Sequence, residues 1–262
     1  MIRARKSLGQ HFLMHARIAE RIALVANLSP DSVVLEIGPG TGMLTRALLA
    51  RANKVIAVEA DGELFEKLQT IFADEIEDSK LELIHDDIRT FNISSLPKNY
   101  ALVANIPYYL TGEIFRMFLE SDNRPCAMTL LVQKEVADRI VARSKPAGGG
   151  SASGGKESIL SLSVKAYGIP KYEFTVKRGA FKPTPNVDSA VLTIRNISRK
   201  NFSTKTEEKK FFELIHAGFA HKRKFARKNL LEAGLPRGDI PEKARAEDVS
   251  LETWLALSST VR

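Results

Sequence analysis

Glu36-Ile-Gly-Pro-Gly-Thr-Gly42 follows the apolar run Ser32–Ile37 (SVVLEI) and leads into a helical pattern from Thr41 to Ala50. The run is short, apolar and rich in valine, as a strand covered on both faces requires. Glycine then lets the chain turn sharply and lets a ligand approach with no Cβ in the way. The helix that follows opens with N–H groups that have no partner inside it. The spacing narrows the ligand. It is G-x-G-x-G, and Met43 stands where the dinucleotide fingerprint needs its third glycine, so a pyrophosphate is not the obvious ligand.

Outward from this loop, strand-like and helix-like segments alternate. Lys54–Glu59 (KVIAVE), Leu81–His85 (LELIH), Tyr100–Asn105 (YALVAN) and Cys126–Val132 (CAMTLLV) read as strands. Helical patterns follow at Gly62–Phe72, after Thr111, and at Lys134–Ala142. This predicts an α/β fold, a Rossmann-like domain with a mostly parallel sheet covered on both faces. Ligands of such sheets sit beyond the carboxyl ends of the strands. Gly38, Glu59, Asp87 and Asn105 all fall at those ends. Two late strands, near Tyr172–Val176 and Ala190–Arg195, flank the turn-rich FKPTPNVDS. Past Arg199 the pattern turns helical with short loops. The expected division is a catalytic domain over 1–199, with a basic arm at 1–14 and a flexible Gly/Ser loop at 145–157, and a small helical domain over 200–262.

Glu59 ends the second strand, 21 residues after Gly38, where a carboxylate can accept both hydrogen bonds of a ribose diol. Asp87, or the adjacent Asp86, could accept from an adenine amino group. Each acid alone is equally well read as a solvated strand end or a helix cap. Together they describe a site for an adenosine without phosphate. The pattern E-x-G-x-G-x-G, with an acid ending the next strand, resembles the class I methyltransferases. That resemblance implies S-adenosyl-L-methionine as cofactor, with Glu36, Gly38, Gly40, Gly42, Glu59 and Asp87 around it.

Asn105-Ile-Pro-Tyr108 follows the fourth strand. The Asn side-chain oxygen and a backbone carbonyl can both accept from an exocyclic amine, proline stiffens the loop, and a tyrosine ring can stack on a base. The stretch is similar to the [D/N/S]-P-P-[Y/F] motif of amino-group methyltransferases. With Ser7–Leu13 (SLGQHFL), Gln133–Arg139 (QKEVADR), Phe181–Ser189 (FKPTPNVDS) and Arg245–Ser250 (RAEDVS), the whole chain resembles the bacterial small-subunit ribosomal RNA adenine dimethyltransferases. The resemblance implies N6,N6-dimethylation of two adjacent adenosines in a hairpin loop near the 3′ end of 16S rRNA. Asn105, the Pro107 carbonyl and Tyr108 match the catalytic motif, and Phe181 matches an aromatic that packs on the flipped base. His11, Leu13 and Asn105 match cofactor contacts. His11 stands where many relatives have Asn.

Composition agrees with this reading. The 262 residues carry a net charge of +8, and most of the excess falls between Arg195 and Arg262. Clustered on a small domain, that charge points to a polyanion, nucleic acid above all; the resemblance implies that this partner is 16S rRNA or the immature small ribosomal subunit. The RNA-binding candidates are Lys222, Arg223, Lys224, Arg227 and Lys228, with Arg3, Arg5 and Lys6. No apolar run approaches the roughly 20 residues of a membrane helix, no secretory signal is recognised, and one cysteine forms no internal disulfide. A cytoplasmic monomer without metal or membrane is expected. The rival readings are a 23S rRNA adenine methyltransferase conferring macrolide resistance and a non-catalytic ribosome assembly factor.

Overall fold

The computed structural model describes residues 9–141 and 155–259. The chain forms two compact units, Met1–Ala137 with Lys171–Ile197, and Asp138–Pro170 with Ser198–Arg262.

The first unit opens with a two-residue strand β1 (Phe12–Leu13) and helix α1 (Ala16–Val25). Strands and helices then alternate: β2 (Val33–Ile37), α2 (Met43–Leu49), β3 (Lys54–Glu59), α3 (Gly62–Ile71), α4 (Ala73–Glu77), β4 (Leu81–His85), β5 (Ala101–Asn105), α5 (Thr111–Glu120) and β6 (Ala127–Gln133). Later come β7 (Ile169–Val176), β8 (Phe181–Lys182) and β9 (Ser189–Arg195). Seven strands form one sheet in the order β4-β3-β2-β5-β6-β9-β7. β4 to β6 run parallel, and β9 pairs antiparallel with β6.

Both faces of the sheet are covered, as its apolar strands demand. Val34, Val55, Ala57, Val103 and Leu131 share a core with Ile22, Leu48 and Leu68 from the helices. The alternate residues Leu35, Ile56, Leu102 and Leu130 point the other way and are also buried. In α1, Ala19, Ile22 and Ala23 at i, i+3 and i+4 make the buried stripe, and α1 lies against α2. Asp61 caps α3 by accepting from the N–H groups of Glu63 and Leu64.

The chain runs β2-β3-β4 to one edge, then returns to place β5 on the opposite side of β2. The carboxyl ends of β2 and β5 therefore flank a crevice at the switch in strand order. The α/β architecture expected from the sequence is present. The expected strands at Lys54–Glu59 and Leu81–His85 occur as read, and the other central strands shift by a residue. The ribbon of β1 and β8, with Leu13 opposite Phe181, is an addition.

Helix α6 (Lys134–Ile140) begins in the first unit and ends in the second. The second unit contains α7 (Ile159–Tyr167), α8 (Lys205–Gly218), α9 (Ala226–Glu232) and α10 (Leu251–Ser259). Its break after Ile197 lies near the expected boundary, but residues 138–170 correct the expected 1–199 domain. The reason is packing. The buried Leu162, Val164 and Tyr167 of α7 have α8 and α10 as neighbours. The Tyr167 hydroxyl donates to Glu208 in α8, which Arg199 also pairs. Gly218 lies so close to Trp254 of α10 that a Cβ would stand 2.3 Å from its ring. The expected Gly/Ser loop falls almost wholly outside the described residues.

Candidate active site

A cleft of about 1040 Å³, open mouth included, lies within the first unit where the strands end. Its walls are the loops after β2, β3, β4 and β5, closed by Gly9–Leu13.

The glycine loop forms one wall. Gly38, Gly40 and Gly42 all have positive φ, the backbone region glycine enters without strain. A Cβ on Gly38 would meet nothing within 4 Å, so it would stand in the cleft itself. Gly40 donates its N–H to the Glu59 carboxylate at 3.0 Å, and Asp61 donates to the other oxygen at 3.0 Å. Glu59 thus ties the loop after β2 to the end of β3. Burial pushes its pKa up, and the two N–H donors offset this in part. Gly42, also expected at the cofactor, is not among the residues that line the cleft. A Cβ there would stand 2.5 Å from the Phe72 ring, so Gly42 serves the close approach of α2 to the buried aromatic.

Glu36 lies at the cleft floor and is 1% exposed. Burial pushes its pKa up to about 8, the nearby Thr45 side chain eases this, and the Glu59 charge adds to it. Its Oε2 has no hydrogen-bond partner among the described residues. An orphaned carboxylate oxygen in a cleft is a place for a ligand's donor or cation.

At the end of β4, Asp86 and Asp87 both line the cleft. Asp86 Oδ1 accepts from the Asp87 N–H at 2.7 Å and from Thr90 at 3.1 Å. Asp87 is held by Arg89, whose Nε donates to both carboxylate oxygens, and its pKa falls accordingly. Asp86 Oδ1 is engaged by the local turn and both Asp87 oxygens by Arg89, and both acids line the cleft.

At the end of β5, Asn105 donates from Nδ2 to the His11 carbonyl at 3.0 Å. That bond sets the amide orientation and leaves Oδ1 as the acceptor for anything entering the cleft. The Pro107 carbonyl, expected to be an acceptor, already receives the Leu110 N–H at 3.0 Å. It has one remaining lone-pair direction. Tyr108 opens a single 3₁₀ turn, Tyr108–Leu110, and its hydroxyl bonds Ser189 at 2.7 Å. Its ring stacks on His11 with centroids 5.7 Å apart. His11 Nδ1 in turn contacts the Pro183 carbonyl at 2.8 Å, and Leu13 is a buried part of the wall.

Phe181 was expected beside the base. It is 3% exposed, belongs to the hydrophobic core and does not line the cleft, because β8 pairs it with Leu13. Three neighbours were given no role in the sequence reading. Arg89 carried a weak signal, a cation two residues after a strand-end acid, and Tyr109 follows the motif directly. Ser189, 81 residues from Tyr108, carried none.

In the second unit, Lys222, Arg223 and Lys228 are exposed. Lys224 pairs with Glu232 at 2.8 Å, and Arg227 donates to the Ile240 carbonyl. Those two are committed to local structure. Arg3, Arg5 and Lys6 lie outside the described residues.

Comparison with known proteins agrees with the geometry. Residues 1–261 match the family model described as ribosomal RNA adenine dimethylase. The chain is 39% identical to a ribosomal RNA small subunit methyltransferase A of Dehalococcoides mccartyi, over 98% of this chain and 88% of the relative. It is 33% identical to the protein of that name from Fusobacterium nucleatum, over 97% of this chain and 96% of the relative. The crystal structure of 23S rRNA methyltransferase ErmE superposes with a TM-score of 0.75 at 27% identity, covering 95% of this chain and 98% of that one. A dimethyladenosine transferase from Plasmodium falciparum shares the fold, with a TM-score of 0.76 at 24% identity over 94% of this chain and 96% of its own. The chain belongs to the ribosomal RNA adenine dimethylase family, S-adenosyl-L-methionine-dependent enzymes on a Rossmann-like α/β fold.

Proposed function

We propose that this protein transfers methyl groups from S-adenosyl-L-methionine to N6 of two adjacent adenosines in a hairpin loop near the 3′ end of 16S rRNA, acting as a cytoplasmic monomer on the immature small subunit. The observation that carries the reading is Asn105. Its Nδ2 is spent on His11, so Oδ1 faces the cleft beside the glycine loop. The small-subunit target follows the names of the relatives that match along nearly the whole chain. Among the described residues, no helix is long and apolar enough to cross a membrane.

The cleft fits the cofactor on two counts, the orphaned Glu36 Oε2 and the space in front of Gly38 that a Cβ would fill. Glu36, Gly38, Gly40, Glu59, Asp87, His11 and Leu13 would hold it. Bound there, it supplies an electrophilic methyl on a sulfonium. Asn105 Oδ1 accepts one N6–H of the adenine and orients the amine lone pair along the line of transfer. A second N6–H goes to the free lone pair of the Pro107 carbonyl. Tyr108, held by Ser189 and backed by His11, supports the extruded base by stacking. With Phe181 in the core, the base-holding set is drawn from the cleft wall instead. The amine proton leaves to solvent.

The test is primer extension on 16S rRNA from undermethylated small subunits incubated with the protein and cofactor. Stops at two adjacent adenosines near the 3′ end support the reading. Modification of 23S rRNA instead, or none, overturns it. Sedimentation velocity checks the monomer.

A further inference from the structure

The 3₁₀ turn after β5 places two consecutive tyrosines in different environments. With about three residues per turn, successive side chains diverge by roughly 120°. Tyr108 points inward to Ser189 and Leu110 is buried, which leaves Tyr109 facing out. Tyr109 is 57% exposed and still lines the cleft mouth. It is not loose. Gly9, at φ +57°, lies under it so closely that a Cβ there would stand 3.2 Å from two ring carbons. The Cδ1–Cε1 side of the ring therefore lies against Gly9, and more than half of the residue is open to solvent. Arg89 lies on the same rim, with Nε and Nη2 paired to the Asp87 carboxylate and its side chain half exposed. An aromatic ring and an arginine side by side at the mouth of a base-sized cleft are the parts of a single-stranded nucleic-acid site.

We propose that the outward ring of Tyr109 is a stacking platform for the nucleotide next to the one in the cleft, with Arg89 beside it for the connecting phosphate. The protein then grips two consecutive bases, one on each tyrosine of the turn. This deepens the function proposed above and rests on it. It also gives adjacency a structural meaning, because whichever adenine occupies the cleft, its neighbour lies on Tyr109. Tyr109 is a specificity residue at the cleft mouth.

The experiment compares Tyr109→Ala, Tyr109→Leu and Tyr109→Phe with the unaltered protein on undermethylated small subunits. It measures KM for subunits, kcat and cofactor affinity. The Ala and Leu variants are expected to raise KM about tenfold, as loss of one stacked base implies. Tyr109→Phe should stay within about twofold, and cofactor affinity should not change in any variant. A Leu variant as good as Phe would mean plain packing on Gly9 and would overturn the inference. So would an Ala variant with unchanged KM, or one whose loss tracks weakened cofactor binding. If the unaltered protein transfers nothing to the subunits, the underlying function fails and takes this inference with it. An active unaltered protein beside an indifferent Ala variant sinks the inference alone.

Discussion

Asn105 is one residue among several at the strand ends, yet only its amide is oriented by a backbone carbonyl from a distant segment, His11. Removing it leaves the Glu36–Gly40 wall and Glu59 intact. Asn105→Ala should lower methyl transfer by about 100-fold or more, the usual loss for one oriented polar group in a reacting site. Cofactor binding, followed by calorimetry, should remain measurable. Near-normal turnover would take Asn105 out of the mechanism. Glu36 makes a different prediction. Its carboxyl loses a proton near 4.5 in the unfolded chain and near 8 when buried. Between those values the folded chain holds a proton that the unfolded chain lacks. The stability this contributes is complete below about pH 4.5 and is lost as pH rises through about 8. Ligand-free Glu36→Gln should therefore show a flatter Tm between about pH 5 and 8 than the unaltered protein. Parallel Tm curves for the two would show that Glu36 keeps an ordinary pKa.

At the scale of elements, the turn from β2 into α2 depends on Gly42. Its φ of +78° disfavours any side chain, and the Phe72 ring behind it is fully buried and cannot swing away. Gly42→Ala should cost about 2–4 kcal/mol, adding left-handed strain to overpacking. Urea unfolding at fixed pH measures this, and a loss below about 1 kcal/mol would mean that α2 can shift. The elements also show why the reading from sequence succeeded where it did. Lys54–Glu59 is apolar from Val55 to Val58 and Leu81–His85 carries apolar residues at 81, 83 and 84, each between turn residues, so period and punctuation agree. The ribbon of β1 and β8 has two residues per strand, too few for any period to register. Its pairing of Leu13 with Phe181 buries the ring that family resemblance had assigned to a base.

For the molecule as a whole, the net charge of +8 predicts an electrostatic share in RNA binding. Affinity for small-subunit RNA should fall steeply with salt, because bound phosphates release counterions. Lys222, Arg223 and Lys228 are exposed, whereas Lys224 and Arg227 are engaged locally. Replacing the three exposed cations with Ala should reduce the log–log salt slope by about 2, and replacing Lys224 should change it little. A slope indifferent to all three would remove them from the interface. The division of the chain carries its own lesson. Residues 138–170 belong with the C-terminal helices although the chain then returns to the first unit for most of β7, for β8 and for β9. Nothing in local composition marks that return, since a helix's partner is chosen by surfaces far away in sequence.

By itself, the sequence determined the α/β order, the glycine loop and its spacing, and the motif at Asn105. These are local signals, set by side-chain period, by turn residues and by neighbours a few positions apart. Tertiary structure alone decided which groups are free to act. It spent the Asn105 amide on His11 and the Pro107 carbonyl on Leu110, packed Phe181 into the core, assigned Gly42 to Phe72, and left Tyr109 outward. Each of these outcomes depends on a partner that chain folding brings near or on the direction a short turn gives a side chain. Spacing along the sequence carries no record of either.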